Sequence, residues 1–172
     1  SMNDKQRELY DVLTKNENPD VSLKNPDGSL VGPFNLMVHE PRLGGALQKL
    51  GGIILYRGAL TARAREIAIL CVAAHQQSAF ERSAHERIGR SAGLTDAEMA
   101  AIAAKTPLEL ADTKEACVLR MSRALLEDGD LDDAAYADAV SVLGEAGMIE
   151  LSTVIGYYSM VALQLRLFRV PG

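Results

Sequence analysis

Residues 65–93, REIAILCVAAHQQSAFERSAHERIGRSAG, decide how this chain is read, because several reactive side-chain types converge there at helical spacing. Ile67, Leu70, Cys71 and Ala74 recur every three or four residues, the mark of one buried helix face. Thr61 can accept a hydrogen bond from the first turn and so cap this helix, which should stop near His75-Gln76-Gln77. Ser78 is placed to cap a second helix, and Gly93 supplies the left-handed residue that ends it, with Leu94 after it. The two helices are expected to form a hairpin. Glu81 and His85 stand four apart, on one face of the second helix. If the turn centres near Gln77, His85 lies across from about Ile69, within a turn of Glu66, so Glu66, Glu81 and His85 can meet in one pocket. A carboxylate beside an imidazole is equipment for moving protons near neutral pH.

Helical patterns continue on both sides of this hairpin. Leu9, Val12 and Leu13 make one stripe on a short helix over 3–16, capped by Asn3 or Asp4. Residues 17–33 are rich in Asn, Asp, Pro and Gly, including Asn25-Pro26-Asp27-Gly28, and read as a long surface loop. Phe34, Leu36, Met37 and Val38 form a brief buried segment before a helix that opens at Pro41 and runs to about Tyr56. That helix contains Gly44, Gly45, Gly51 and Gly52, each costing roughly 1 kcal/mol against alanine, so close approach of another helix, a subunit or a ligand must offset them. Downstream, Thr95-Asp96-Ala97-Glu98 is a capping box for a helix to about Ala104. Further helices are expected over 112–127 and 132–146, with Gly147 separating the latter from a last helix that is apolar nearly all round. Such a helix must be surrounded by others or lie at a subunit contact. No alternating apolar and polar run bounded by hairpin turns occurs, so the expected fold is all-α, a single-domain helical bundle over 34–172 preceded by an extension over 1–33.

Composition narrows the classes of function. A net charge of -5, a pI of 5.2 and the absence of any basic run give no footprint for a phosphate backbone, so no nucleic-acid partner is expected. Residues 151–164, the longest nearly uncharged stretch, contain Ser, Thr, Gly and two Tyr and fall short of the roughly 20 apolar residues of a membrane span. With no charged and apolar leader at the start, the expectation is a cytoplasmic protein without a membrane partner, and Ser1 ahead of Met2 reads as an expression remnant. Cys71 and Cys117 sit in apolar helical patterns, as inert buried thiols do, and there is no C-x-x-C. No H-x-x-x-H or H-E-x-x-H spacing occurs, so a metal site is not expected.

GPFNLMVHEPRLGGALQKLG, the L-T-x-R-x-R-E opening at Leu60, the A-H-E-R-I-G-R-S-A-G-L helix and the late GEAGMIELSTVIGYY together resemble the carboxymuconolactone decarboxylase family in its broad sense, which includes alkylhydroperoxidase D. The resemblance implies an all-α fold with an alkylhydroperoxidase D-like hairpin over about 61–93, assembled into homotrimers or homohexamers. Peroxidase members carry Glu, eleven residues, C-x-x-C, three residues and His. Here Glu66 and His85 match the outer positions, while Ser78 and Glu81 stand where the two cysteines belong. A hydroxyl cannot follow a thiol through sulfenic acid and disulfide, so peroxiredoxin-type activity is disfavoured, although the family name suggests it.

The decarboxylase branch has an acidic residue four before the helix histidine, as Glu81 and His85 do. It implies a lyase in aromatic compound catabolism, acting on a small lactone or ring-cleavage acid. The conjugated lactone carbonyl can take up the electrons left as carbon dioxide departs, so no metal or organic cofactor is expected. On this reading His85 moves the proton, Glu81 and Glu66 orient and tune it, Arg63 or Arg65 binds a substrate carboxylate, and Ser78 donates a hydrogen bond at the helix N-terminus. Each residue also has a plainer reading. Glu81 and His85 can be a surface pair, Glu66 a dipole partner, Arg63 and Arg65 partners of nearby Glu, His39 and His75 solvent-facing helix ends, and Tyr157 and Tyr158 core or interface residues. The alternative for the whole molecule is a helical oligomer that binds a small acid without catalysis.

Overall fold

In the computed structural model, residues 2–15 and 23–171 are described. Among them the chain forms eight helices: α1 (Asp4–Lys15), α2 (Pro33–His39), α3 (Pro41–Arg57), α4 (Ala62–Gln76), α5 (Ala79–Ser91), α6 (Asp96–Ala103), α7 (Thr113–Asp128) and α8 (Asp133–Leu167). The fold is all-α, and its only β pairing among the described residues is an isolated bridge between Lys24 and Leu30. The expected caps are in place. Thr61 Oγ1 accepts from Ala64 N at 3.1 Å, and Thr95 and Glu98 form the reciprocal capping box. Asn3 and Gln6 cap α1 in the same reciprocal way, each bond 3.0 Å long.

The helix surrounded on all sides is α4, whose residues 64–73 are all buried and which packs against α5, α6, α7 and α8. Ile67, Ala68, Ile69 and Val72 have no exposure at all. Sequence patterning leaves the last helix either surrounded by others or at a subunit contact, and within the chain it is only partly covered. Past its midpoint α8 buries Leu151, Val154, Tyr158, Val161 and Leu165, a stripe at spacings of three and four, while Ile149, Leu163 and Leu167 face outward. By length and composition alone α8 is apolar enough to cross a membrane, but its buried stripe belongs to the same core as α4.

A correction concerns the break in this helix. Gly147 is helical and buried, whereas Gly144 adopts φ 72° and ψ 166°, a region closed to residues with a Cβ, and divides α8 into two segments. The stretch 34–38 is also more regular than its brevity suggests, a two-turn helix opened by Pro33. Residues 17–22 of the expected surface loop, residue 16 of the expected first helix, and Ser1 lie outside the described residues. The remainder of that loop closes tightly on Asp27, whose carboxylate accepts from Ser29 N at 2.9 Å and Ser29 Oγ at 2.6 Å. It delivers Leu30 into a small satellite core with Leu9, Leu13, Met37 and Val38, by which α1 and α2 rest on α3.

The α3 glycines divide by what they meet. A Cβ on Gly44 would lie 2.0 Å from the Met37 carbonyl oxygen, and one on Gly51 would lie 2.6 Å from the Tyr157 hydroxyl. Gly45 and Gly52 have nothing within 4 Å. Close approach within the chain therefore explains two of the four. Because the obstacle at Gly44 is backbone, Gly44→Ala is expected to destabilise the protein by roughly 1–3 kcal/mol, read as a lower urea midpoint at unchanged m-value. Gly45→Ala, free of contact and relieved of glycine's entropy, should be neutral or stabilising.

Candidate functional site

The hairpin of α4 and α5 turns at Gln77, held left-handed at φ 54°. Ser78 then starts α5, its Oγ accepting from Glu81 N at 3.5 Å. Antiparallel return brings α5 along α4 so that His85 Nδ1 meets Glu66 Oε2 at 2.7 Å, across 19 residues of sequence. Both partners are buried, Glu66 completely and His85 to 8% exposure. Nδ1 is committed to the carboxylate, which leaves Nε2 as the ring nitrogen a substrate can engage.

Arg65 lies on the other side of Glu66, its Nε 3.9 Å from Oε1, close enough to balance charge but too far for a hydrogen bond. Arg65 Nε and Glu66 Oε1 are both buried without a hydrogen-bond partner. Glu81, one turn before His85, is 2% exposed, and neither of its carboxylate oxygens accepts a hydrogen bond. Burial disfavours its charged form and pushes its pKa up to about 7, the Ser78 hydroxyl pulling weakly the other way. A carboxyl poised at neutrality and left unpartnered is poorly explained as a structural element, since such groups cost stability.

Two tyrosines close the cluster from α8. The Tyr158 ring packs edge-on against His85, with centroids 5.0 Å apart and an interplanar angle of 86°. Tyr157 stacks edge-on to Tyr158 and donates its hydroxyl to the Leu47 carbonyl of α3 at 3.1 Å. Burial raises both phenols, that of Tyr157 to about 12, and Glu66, Tyr157 and Glu81 raise Tyr158 further. Both rings are therefore neutral walls that can donate hydrogen bonds. Their pattern, on the buried stripe of α8, marks them as core. Only the three-dimensional register shows that this part of the core abuts the histidine.

Of the six sequence candidates, Glu66, His85, Arg65 and Glu81 share this buried region, and Ser78 stands at its edge as the α5 cap. Arg63 is taken out of the set. Its Nε donates to Glu115 at 2.9 Å and its Nη atoms to Glu98 and the Gly93 carbonyl, tying α4 to α6, α7 and the end of α5. The spacing of Arg63 from Arg65 by two residues puts them on different sides of the helix, and only Arg65 faces Glu66. Arg63→Ala is expected to cost roughly 1–2 kcal/mol of stability and leave turnover within about twofold, measured by urea unfolding and initial rates.

The two thiols lie elsewhere. Cys71 and Cys117 are free and buried, and burial pushes the Cys71 thiol up to about 12, so it holds no thiolate near neutral pH. A cavity of about 1010 Å³ opens between α2, α3, the Lys24–Leu30 turn and the C-terminal tail, lined among others by Met37, Leu47, Phe80 and Phe168. It adjoins the cluster without including Glu66, Glu81 or His85: Phe80 precedes Glu81, and Leu47 carries the carbonyl that holds Tyr157.

No curated protein matches the chain. The matched family segment runs from the first residue of α3 into the first turn of α7 and so contains Arg65, Glu66, Ser78, Glu81 and His85, but neither tyrosine. Over residues 41–116 the chain matches the Carboxymuconolactone decarboxylase family, to which this segment is similar.

Proposed function

We propose that the protein is a carboxymuconolactone decarboxylase-like lyase that acts on a small lactone or ring-cleavage acid through carboxylate and histidine proton transfer, without a redox cysteine pair. The observation that carries this reading is the buried Glu66–His85 pair at 2.7 Å, flanked by Arg65 and by an unpartnered Glu81 titrating near neutrality. In the proposed reaction the bond between the substrate's ring carbon and its carboxylate breaks and carbon dioxide leaves. The electron pair moves into the conjugated lactone carbonyl, and the carbanion is then protonated. Glu66 holds the His85 ring through Nδ1 so that Nε2 delivers that proton. Arg65, with its unpartnered Nε, supplies positive charge for a carboxylate, and Glu81 restores the proton balance of the site.

We further infer that the molecule works as a cytoplasmic homo-oligomer, trimer or hexamer. The support is exposed apolar surface: Leu50, Ile53 and Tyr56 on α3, and Ile149, Leu163 and Leu167 on α8. The test of the activity is carbon dioxide release from a panel of lactone acids and β-keto acids. Saturable release from a lactone acid that disappears when His85 is replaced supports the assignment. Release from none of them, or release that survives the replacement, overturns it.

A further inference from the structure

On the side of α4 away from Glu66 a second cavity, about 370 Å³, lies between α4, the end of α6 and α7. Cys71, Ala74 and His75 line it from α4, at spacings of three and four that put them on one face. Ile102 of α6 and Lys105 just after it close one side, and Arg123, Ala124, Leu126 and Glu127 of α7 another. Its walls are of two kinds. Cys71, Ala74, Ile102, Ala124 and Leu126 are aliphatic or neutral, the thiol being held protonated by burial. Three nitrogen-bearing side chains and one carboxylate make up the rest.

The nitrogens are incompletely used. Arg123 Nη2 donates to the Thr106 carbonyl at 2.9 Å and the Ala101 carbonyl at 3.5 Å, closing the end of α6, while its Nε is buried without an acceptor. His75 Nδ1 is likewise buried without a hydrogen bond, 3.7 Å from Glu127 Oε2. Lys105 Nζ stands 3.6 Å from the same carboxylate. One carboxylate thus serves two basic side chains at distances too long for hydrogen bonding, and a third, Arg123, has no anionic partner within 4.0 Å among the described residues. Buried donors left open in this way favour an acceptor brought from outside.

We propose that this cleft binds a small aliphatic monocarboxylate, its two oxygens accepting from Arg123 Nε–H and His75 Nδ1–H with Lys105 nearby, its short chain lying against Ala74, Ile102, Ala124 and Leu126. A carboxylate offers two acceptors in one plane, which suits two separate N–H donors. The volume, at the lower end for ligand sites, admits a short-chain acid. The site is separate from the Glu66–His85 cluster and does not depend on the activity proposed there.

The test is an NMR titration of the full chain with butyrate, butyramide and inorganic phosphate, reading the Arg123 Nε–H and the His75 ring. Butyrate is expected to give saturable shifts at both, butyramide none, and phosphate weaker shifts than butyrate. Lys105→Gln, whose exposed side chain makes it safe for folding, should weaken butyrate about fivefold, and Ala124→Phe, which fills the cleft, should abolish the shifts. Arg123→Gln removes a donor but also the closure of α6, so the two other variants carry the test. Absence of saturation up to about 100 mM butyrate overturns the proposal, since the implied affinity is then too weak for a built site. Equal binding of phosphate and butyrate, or shifts confined to His85, overturns it as well.

Discussion

Turnover in His85→Gln is expected to fall at least about 100-fold while stability stays within about 1 kcal/mol of wild type. The glutamine matters more than the usual alanine. His85 is the hydrogen-bonding partner of a fully buried carboxylate, and Arg65 stands 3.9 Å from the other oxygen. Alanine would strand Glu66 with one distant cation, and breaking a buried pair costs roughly 3–5 kcal/mol. Loss of activity in His85→Ala could then be loss of fold. A glutamine amide can still donate to Glu66 Oε2, yet it cannot carry a proton. The expected pattern is therefore activity lost in both variants and stability lost only in alanine, read by initial rates beside urea unfolding. A His85→Gln protein with rates within about threefold of wild type would remove His85 from the chemistry.

The same pair shows how far the sequence reaches. Caps made the helix boundaries legible: Thr61, Ser78, Thr95 and Gly93 are local signals, and local physics decides where helices start and stop. The Glu66–His85 contact was also legible, because a short turn at Gln77 leaves an antiparallel hairpin little freedom of register. What the sequence leaves open is environment. Both α4 and the second half of α8 are apolar on several faces, and composition alone cannot say which one others surround. The small side chains Ala64, Ala68 and Ala73 let neighbours approach α4 closely, whereas α8 keeps Ile149 and Leu163 outside.

Arg63 and Tyr158 illustrate the remaining limit in opposite directions. Arg63 looked equivalent to Arg65 in the motif, but its acceptors, Glu98 and Glu115, come from helices 35 and 52 residues away. Tyr158 looked like core and is core, yet its ring is also the wall against which His85 is held. Neither partner choice has a local signature, since both depend on how distant helices rotate about their axes. The absence of the cysteine pair, by contrast, is plain in the sequence, and the burial of Cys71 and Cys117 gives no substitute for it. Thiol-dependent peroxide reduction thus has less chemical support than proton transfer.

Glu81→Gln should be more stable than wild type at pH 8 and no more so at pH 4.5, once any constant effect of the amide is subtracted. Below its ordinary value of 4.5 the carboxyl is neutral in both folded and unfolded chains, and folding does not depend on its titration. As pH rises from there to about 7, the unfolded chain releases a proton that the folded chain keeps. Stability falls through this window. Above about 7 the full cost of ionising a buried, unpartnered carboxylate is in place, on the order of 3 kcal/mol before any relaxation of the site. Glutamine has the same shape and no charge to bury, so the variant gains this amount at pH 8, a rise of roughly 5–10 °C in Tm for a chain of this size. Scanning both proteins at the two pH values reads the difference directly, and equal differences at pH 4.5 and 8 would show that Glu81 does not titrate in this window. The gain is expected to come with a loss of turnover, because a group that destabilises its own fold at working pH is retained for what its proton does there.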